Sequence, residues 1–337
     1  MKKKLFCLLF AAIVLLPMTL LAGPKGDMDV WDIFNGRGMF SCRPAQQDDE
    51  TPITAPLNTA FDKCGPPVNP FGDLTPWGPF KLFDNFYYIG TRQVGVFVID
   101  TSDGLILIDA GWGAQDCGTM MADLKTKGFN PENIKLILLS HEHIDHYGCV
   151  KAWKETYCPR AKVALSQIGW NNLRAWPIEA SFDNPRPESI DMYLTDGQRV
   201  HLGNTTIEVV STPGHSPGCV SFIIPVRDLG EKHAIGIMGG TKVPSNWSEA
   251  LLYWSSVEYF AEKCAEAKCD VGLGQHAYPD YKPAFEMLLT RKPGDANPLV
   301  IGTERFVTEY IEKYKKLARD QFPKIPKEHF GPPRVCP

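Results

Sequence analysis

Lys135-Leu136-Ile137-Leu138-Leu139-Ser140-His141-Glu142-His143-Ile144-Asp145-His146 is the stretch on which the fold of this chain turns. After Lys135 the run to Leu139 is wholly apolar, the pattern of a strand buried on both faces. No glycine or proline intervenes, so the strand delivers the histidines at its end. Side chains alternate along extended backbone, which points His141 and His143 the same way. Together they can grip one metal ion, while Asp145 and His146, past the turn, face a second. Imidazole and carboxylate are donors suited to zinc. The spacing is that of a loop, not of two histidines one helical turn apart. Glu142, between the inward-facing histidines, is expected to point away into solvent.

Working outward, short apolar runs punctuated by Gly, Asp and Ser predict a meander of strands over Phe80–Leu82, Phe86–Ile89, Val94–Ile99 and Leu105–Ile108. Helical spacing covers Ala114–Lys127 and stops at Gly128. A helix over Cys149–Thr156, a strand over Lys162–Leu165 and a helix over Gln167–Arg174 follow, then a Pro-rich loop from Pro177 to Ser189. Val200–Leu202 and Thr206–Val210 make a hairpin; Cys219–Ile224, Ala234–Met238 and Val271–Leu273 are further strands. Trp247–Ala267, Pro283–Leu289 and Gly302–Arg319 read as helices, the last amphipathic. Strands and helices in two similar halves predict an α/β protein with two sheets inside and helices outside, an αββα sandwich.

Two more histidines stand just after predicted strands. His215 lies in Thr212-Pro213-Gly214-His215-Ser216-Pro217-Gly218, and His276 in Gly274-Gln275-His276. Ligands gathered from strand ends at one sheet edge are how α/β scaffolds build sites. His201 and His233 fall within strands and His329 in the tail, so they are not expected at the site.

With these motifs in hand, the chain resembles the metallo-β-lactamase superfamily over about Pro76 to Leu289. The resemblance rests on Ile108-Asp109-Ala110-Gly111, the H-x-H-x-D-H loop, the T-P-G-H-S-P-G segment and the late histidine. It implies the αββα metallo-β-lactamase fold and two Zn2+ ions, one held by His141, His143 and His215, the other by Asp145, His146 and His276. Many members carry a bridging aspartate, and some a cysteine, where this chain has Thr241 in Met238-Gly239-Gly240-Thr241-Lys242. That absence, with Cys269-Asp270-Val271 and Gly128-Phe129-Asn130-Pro131-Glu132-Asn133, is similar to subclass B3. It counts against glyoxalase-type thioesterases and acyl-homoserine lactonases. His143 counts against the di-iron flavoprotein branch. The implied activity is opening of a β-lactam amide by a zinc-bound hydroxide, the chemistry of antibiotic resistance. Asp145 orients the nucleophile and Asp109 holds the histidine loop by hydrogen bonds. Thr241, Lys242 and Asn246 are the candidates for gripping the substrate carboxylate. The alternatives are an exported lactonase or other small-ester hydrolase, and a non-enzymatic zinc-binding protein. Trp77, Trp112, Tyr147, Trp170 and Trp176 flank the loops and read first as packing.

The partner is a small molecule. A net charge of −4 with no basic stripe leaves no footprint for nucleic acid. With 44% hydrophobic residues in 337, a sizeable core is available and global disorder is excluded. Lys2-Lys3-Lys4 before the apolar run Leu5–Leu21 reads as a secretory signal, 1–22, making the protein exported, periplasmic or secreted, with no membrane association after its removal. Residues 23–76 read as an N-terminal extension, 77–290 as the hydrolase domain, and 291–337 as a helix and Pro-rich tail. The remaining cysteines fit an oxidising compartment. Cys42–Cys64 could tie the extension. By the B3 resemblance Cys269 is a disulfide position, with Cys336 or Cys264 as partner. Cys149 and Cys219 are expected as buried free thiols.

Overall fold

A computed structural model describes residues 73–113, 116–175, 186–244 and 247–321. The signal segment, most of the extension, the Pro-rich tail, Trp176, Asn246, His329, Cys42, Cys64 and Cys336 lie outside the described residues.

The first sheet has seven strands in chain order. β1 (Phe80–Phe83), β2 (Phe86–Gly90), β3 (Gly95–Thr101) and β4 (Gly104–Ile108) form the antiparallel meander expected. β5 (Ile134–Leu138), β6 (Lys162–Ser166) and β7 (Met192–Leu194) add in parallel. Their crossovers carry α1 (Cys117–Thr126), the short α2 (Ile144–Tyr147), α3 (Val150–Thr156) and α4 (Gln167–Ala175). Gly128 ends α1 as the sequence requires: its φ is +85°, and Phe129 N–H reaches back to Leu124 O while Gly128 N–H reaches Lys125 O.

The second sheet runs β12-β11-β10-β9-β8. β8 (Arg199–Leu202), β9 (Thr205–Ser211), β10 (Val220–Asp228) and β11 (Glu231–Ile237) are antiparallel, and β12 (Val271–Leu273) lies parallel to β11. α5 (Trp247–Glu266) and α6 (Lys282–Thr290) follow the last two strands. The expected single C-terminal helix is instead α7 (Gly302–Arg305), a π-helical stretch Phe306–Ile311 and α8 (Glu312–Gln321). Tyr310 within the π stretch donates its hydroxyl to Leu273 O at 2.6 Å and accepts from Met238 N at 3.0 Å, tying the ends of β11 and β12.

Period-two alternation decides the layers. Phe97, Ile99, Ile106, Ile108, Leu136 and Leu138 face the second sheet's Ile207, Val209, Phe222, Ile224, Ile235 and Leu273. Val96, Val98, Leu105, Leu107, Ile137 and Leu139 face the helices, where Met120, Met121, Leu124 and Trp153 cover them. Beyond the second sheet, Val210, Ile223 and Met238 pack under Tyr253, Val257, Phe260, Phe306 and Tyr310. This is the αββα sandwich. Trp77 is core, stacked at 5.0 Å on Phe285. No helix among the described residues is long and apolar enough to cross a membrane.

Three expectations change. β7 was not read from the sequence, because only Leu194 of its three residues is buried and no alternation marks it. β10 runs past Pro225, where the apolar run breaks, because Pro225 still pairs with Ala234 on the neighbouring strand. Cys149 is not a free thiol: it forms a disulfide with Cys117, joining the start of α1 to the residue before α3. Cys158, Cys219, Cys264 and Cys269 are buried free thiols among the described residues, so Cys269 does not pair with Cys264.

Candidate metal centre

The loops after β4, β5, β9, β11 and β12 meet at one edge of the sandwich. Asp109 ends β4 in the left-handed region, φ +67°, which disfavours a residue bearing a Cβ by about 1–2 kcal/mol. Three hydrogen bonds to its buried carboxylate offset that strain. Oδ1 accepts from Ser140 N at 2.7 Å, and Oδ2 accepts from Ser140 Oγ at 2.9 Å and from His146 Nδ1 at 2.8 Å. The loop after β4 also holds α2 through Ala110 N to His146 O at 2.7 Å and Gly148 N to Gly111 O at 2.8 Å.

Four of the rings are oriented from behind by the bonds of their Nδ1 atoms. His215 Nδ1 donates to Lys242 O at 2.6 Å, and His276 Nδ1 to Gln93 O at 2.7 Å. Ser140 Oγ spends its proton on Asp109, so it accepts from His141 Nδ1 at 3.0 Å. With their protons on Nδ1, His141, His146, His215 and His276 present Nε2 forward.

Two groups result. His141, His143 and His215 bring one nitrogen each within 4.8 Å of the others, and Asp145, His146 and His276 do the same with one oxygen and two nitrogens. His143 Nδ1 stands 3.0 Å from both His141 Nε2 and His215 Nε2. With a proton on Nδ1, His143 donates to these acceptors in the metal-free protein; without it, the three nitrogens are lone-pair donors aimed at one point. Asp145 Oδ2 is 3.3 Å from His146 Nε2 and 3.4 Å from His276 Nε2. The groups adjoin, with the His141 and His146 ring centres 4.0 Å apart.

Charge follows burial. Burial, then repulsion from neighbouring imidazoles, holds His141 well below the usual histidine range. Burial lowers His143 to about 4 and His215 to about 3. His276 is lowered the same way. These are neutral imidazoles, the form that binds a metal. Burial would also lower His146, but the Asp145 and Asp109 carboxylates outweigh it and raise it to about 10. Burial opposes ionisation of Asp145, yet His146, His276 and His143 hold it below the usual carboxylate range. Without a metal, a proton on His146 takes the cation's place.

The Metallo-beta-lactamase superfamily model matches residues 89–229. The subclass B3 metallo-beta-lactamase BJP-1 of Bradyrhizobium japonicum is 30% identical, covering 73% of this chain and 93% of that one at a TM-score of 0.61. The chain belongs to the metallo-beta-lactamase superfamily. Its sandwich also resembles the FEZ-1 metallo-beta-lactamase of Legionella gormanii, at 25% identity over 77% of this chain and 99% of that one, TM-score 0.61. Among curated proteins, a hydroxyacylglutathione hydrolase of Mesorhizobium japonicum is 33% identical over 136 residues, 40% of this chain and 44% of its own length.

The structure brings together the six residues singled out in the sequence, His141, His143, Asp145, His146, His215 and His276, as two candidate metal-binding groups. Thr241 lies beside the loop that carries His276, since a Cβ on Gly274 would stand 3.7 Å from Thr241 Cγ2. Lys242 is exposed, and its backbone carbonyl, bonded to His215 Nδ1, sets the residue beside the three-histidine group. Tyr147 is buried against the first sheet's outer layer and so serves packing. His201 and His233 are strand residues away from the groups, His233 Nδ1 donating to Asp270 Oδ2 at 2.6 Å. Sequence reasoning missed the Gln93 carbonyl, which acts through its backbone and leaves no signature. It also misread Glu142, which points away from the histidines but is wholly buried rather than solvated.

Proposed function

We propose that this hydrolase is an exported di-zinc enzyme that opens β-lactam rings. The observation that carries the reading is the pair of adjoining three-residue groups, one of three imidazoles and one of Asp145, His146 and His276, with neither carboxylate nor thiolate at Thr241. His141 Nε2, His143 Nδ1 and His215 Nε2 would hold one ion; Asp145 Oδ2, His146 Nε2 and His276 Nε2 would hold the other. Bound zinc supplies a Lewis acid and lets water act as a nucleophile at neutral pH. Five imidazoles and one carboxylate leave two divalent ions under-neutralised, so the centre attracts an anionic substrate. Lys242 places a further positive charge at its border, fitted to a substrate carboxylate. Asp145, held ionised among three histidines, can orient the attacking water and pass its proton to the departing amide nitrogen. The 30% identity to a subclass B3 β-lactamase over 93% of its chain supports this substrate. Export is supported by Lys2-Lys3-Lys4 and the apolar run behind them, and the Cys117–Cys149 disulfide accords with an oxidising compartment.

The likeness to a hydroxyacylglutathione hydrolase favours a second reading, cleavage of a thioester or lactone in the same centre. One assay separates them. The zinc-loaded mature protein is given a chromogenic cephalosporin, an acyl-homoserine lactone and a glutathione thioester in parallel, beside a chelated control and His215→Ala. Cephalosporin turnover lost in both controls establishes the first reading. Turnover confined to the lactone or thioester establishes the second.

A further inference from the structure

The position between the two histidines of an H-x-H loop asks for no particular side chain, since it faces away from the ions. Here it holds Glu142, a carboxylate with 0% exposure. Burying a carboxylate costs several kcal/mol unless donors satisfy it. Asn172 Nδ2 on α4 donates to Oε1 at 2.9 Å, and Ser216 Oγ donates to Oε2 at 2.9 Å. Ser216 follows His215 directly. Its proton being committed to Glu142, it accepts from the Cys219 thiol at 3.3 Å.

The surroundings are shaped to this carboxylate. A Cβ on Gly218 would stand 2.4 Å from Glu142 Oε2, and one on Gly169 3.1 Å from it. Ser166 Oγ donates to Gly218 O at 2.7 Å and accepts from Gly169 N at 3.0 Å, closing the His215 loop onto the start of α4 with Glu142 between them. Glu142 therefore joins two loops distant in sequence: its backbone carries His141 and His143, and its side chain holds the residue beside His215. These supply the three nitrogens that must converge, and between the loops the ring nitrogens already lie 3.0 Å apart.

We propose that Glu142 is a positioning residue: through Ser216 it fixes His215 against His141 and His143 and so sets the affinity of the three-histidine group for its ion. The inference rests on the reading of that group as a metal site. The bond to Asn172 anchors the carboxylate to a helix that carries no ligand, so the two bonds have separable effects.

The test uses the full mature chain and stepwise titration with Zn2+ against a chromophoric chelator, repeated with Co2+ to follow the absorption of the bound ion. Ser216→Ala is expected to weaken one of two binding steps by about 10- to 100-fold and to alter the Co2+ spectrum, the range seen when a residue orienting a ligand is lost. Asn172→Ala should leave both steps within about twofold. Glu142→Gln, which keeps an acceptor and lets Ser216 reverse its hydroxyl, should recover most of the affinity lost in Glu142→Ala. Melting of each metal-free variant separates folding from affinity; if Glu142→Ala fails to fold, the Ser216 and Asn172 comparison still decides. Equal affinity in wild type and Ser216→Ala, or equal loss in Ser216→Ala and Asn172→Ala, overturns the positioning role alone. A wild-type protein that binds neither ion overturns the metal-site reading and this inference with it.

Discussion

Asp109→Asn changes one atom and should disable half of the metal centre. The carboxylate accepts three hydrogen bonds, from Ser140 N, Ser140 Oγ and His146 Nδ1. An amide has one acceptor oxygen, so its NH2 must face either Ser140 N–H or His146 Nδ1–H. The backbone N–H cannot reverse. The imidazole can, by moving its proton to Nε2, and Ser140 Oγ can turn to accept. The cheaper outcome therefore puts the NH2 toward His146, so that the neutral ring keeps its proton on the nitrogen that should bind the metal, whereas the wild-type ring, on losing its second proton, keeps Nδ1–H. To bind, His146 must return to the Nδ1–H tautomer against the amide NH2, leaving a buried donor unsatisfied at about 1–3 kcal/mol. Converted to affinity, that is roughly a 5- to 150-fold loss, which overlaps the about 10- to 100-fold cost of losing a residue behind a metal-binding histidine. In a Zn2+ titration against a chromophoric chelator, the step at Asp145, His146 and His276 should weaken by that factor and the three-histidine step less, because Asp109 reaches His141 only through Ser140 Oγ and makes no bond to His143 or His215. Combining Asp109→Asn with Ser216→Ala should weaken both steps. Unchanged affinities, or equal weakening of both steps in the single variant, would refute the tautomer argument.

Other outcomes can be stated from the same structure. Replacing Cys117 and Cys149 together by Ala opens a crosslink spanning 32 residues, worth about 4 kcal/mol by loop entropy. The melting temperature should fall by roughly 8–16 °C, and a fall of under about 3 °C would show that the crosslink does not hold the loop after β4 to α3. For the metal-free protein, stability should peak between about pH 6 and 7. Because His143 and His215 are lowered to about 4 and about 3, the stability they contribute is full above the ordinary 6.5 and is lost as pH falls toward those values. His146, raised to about 10, contributes stability that is full below 6.5 and lost as pH climbs to about 10. Melts from pH 4 to 10 with no alkaline decline would contradict the charged His146, and zinc loading should remove that decline by displacing its proton. Lys242→Ala should raise KM for a cephalosporin by about tenfold with kcat nearly unchanged, as loss of uniform binding does; a kcat loss alone would move Lys242 out of substrate binding.

How much of this was legible depends on whether the signal was carried by side-chain pattern or by backbone. The strands of both inner layers were readable because burial on two faces forces continuous apolar runs, as in Leu136–Leu139, and α1 was closed by the one residue, Gly128, that its left-handed turn favours. The candidate ligand residues were readable because their chemistry is written in their types and in their place after strands. Edge strand β7 escaped because its pairing to β6 is made by backbone and buries only one of its three side chains, Leu194, fully. The π-helical turn in the C-terminal helix escaped for a related reason: Phe306, Tyr310 and Tyr314 keep a four-residue spacing that a regular α-helix would also satisfy. Disulfide pairing escaped because Cys117 and Cys149 meet only once α1 and α3 are packed.

Glu142 is the instructive failure. Alternation correctly turned it away from the metal face, and the error lay in equating that direction with solvent. In a four-layer sandwich the side of the loop opposite the clustered histidines is where α4 and the His215 loop close over it, so a residue excluded from one buried site enters another. The signals that would have corrected the reading were present but distributed: a Cβ at Gly218 would strike Glu142 and the Gly169 backbone, one at Gly169 would crowd Glu142, and Ser216 and Asn172 supply its two donors. Each of these is ordinary alone. They acquire meaning only together, once the fold sets residues 30 and 74 positions away against one carboxylate. Metal ligands can be read from a motif because they are few and chemically distinctive, whereas the groups that aim them are common residues whose role is set by contact.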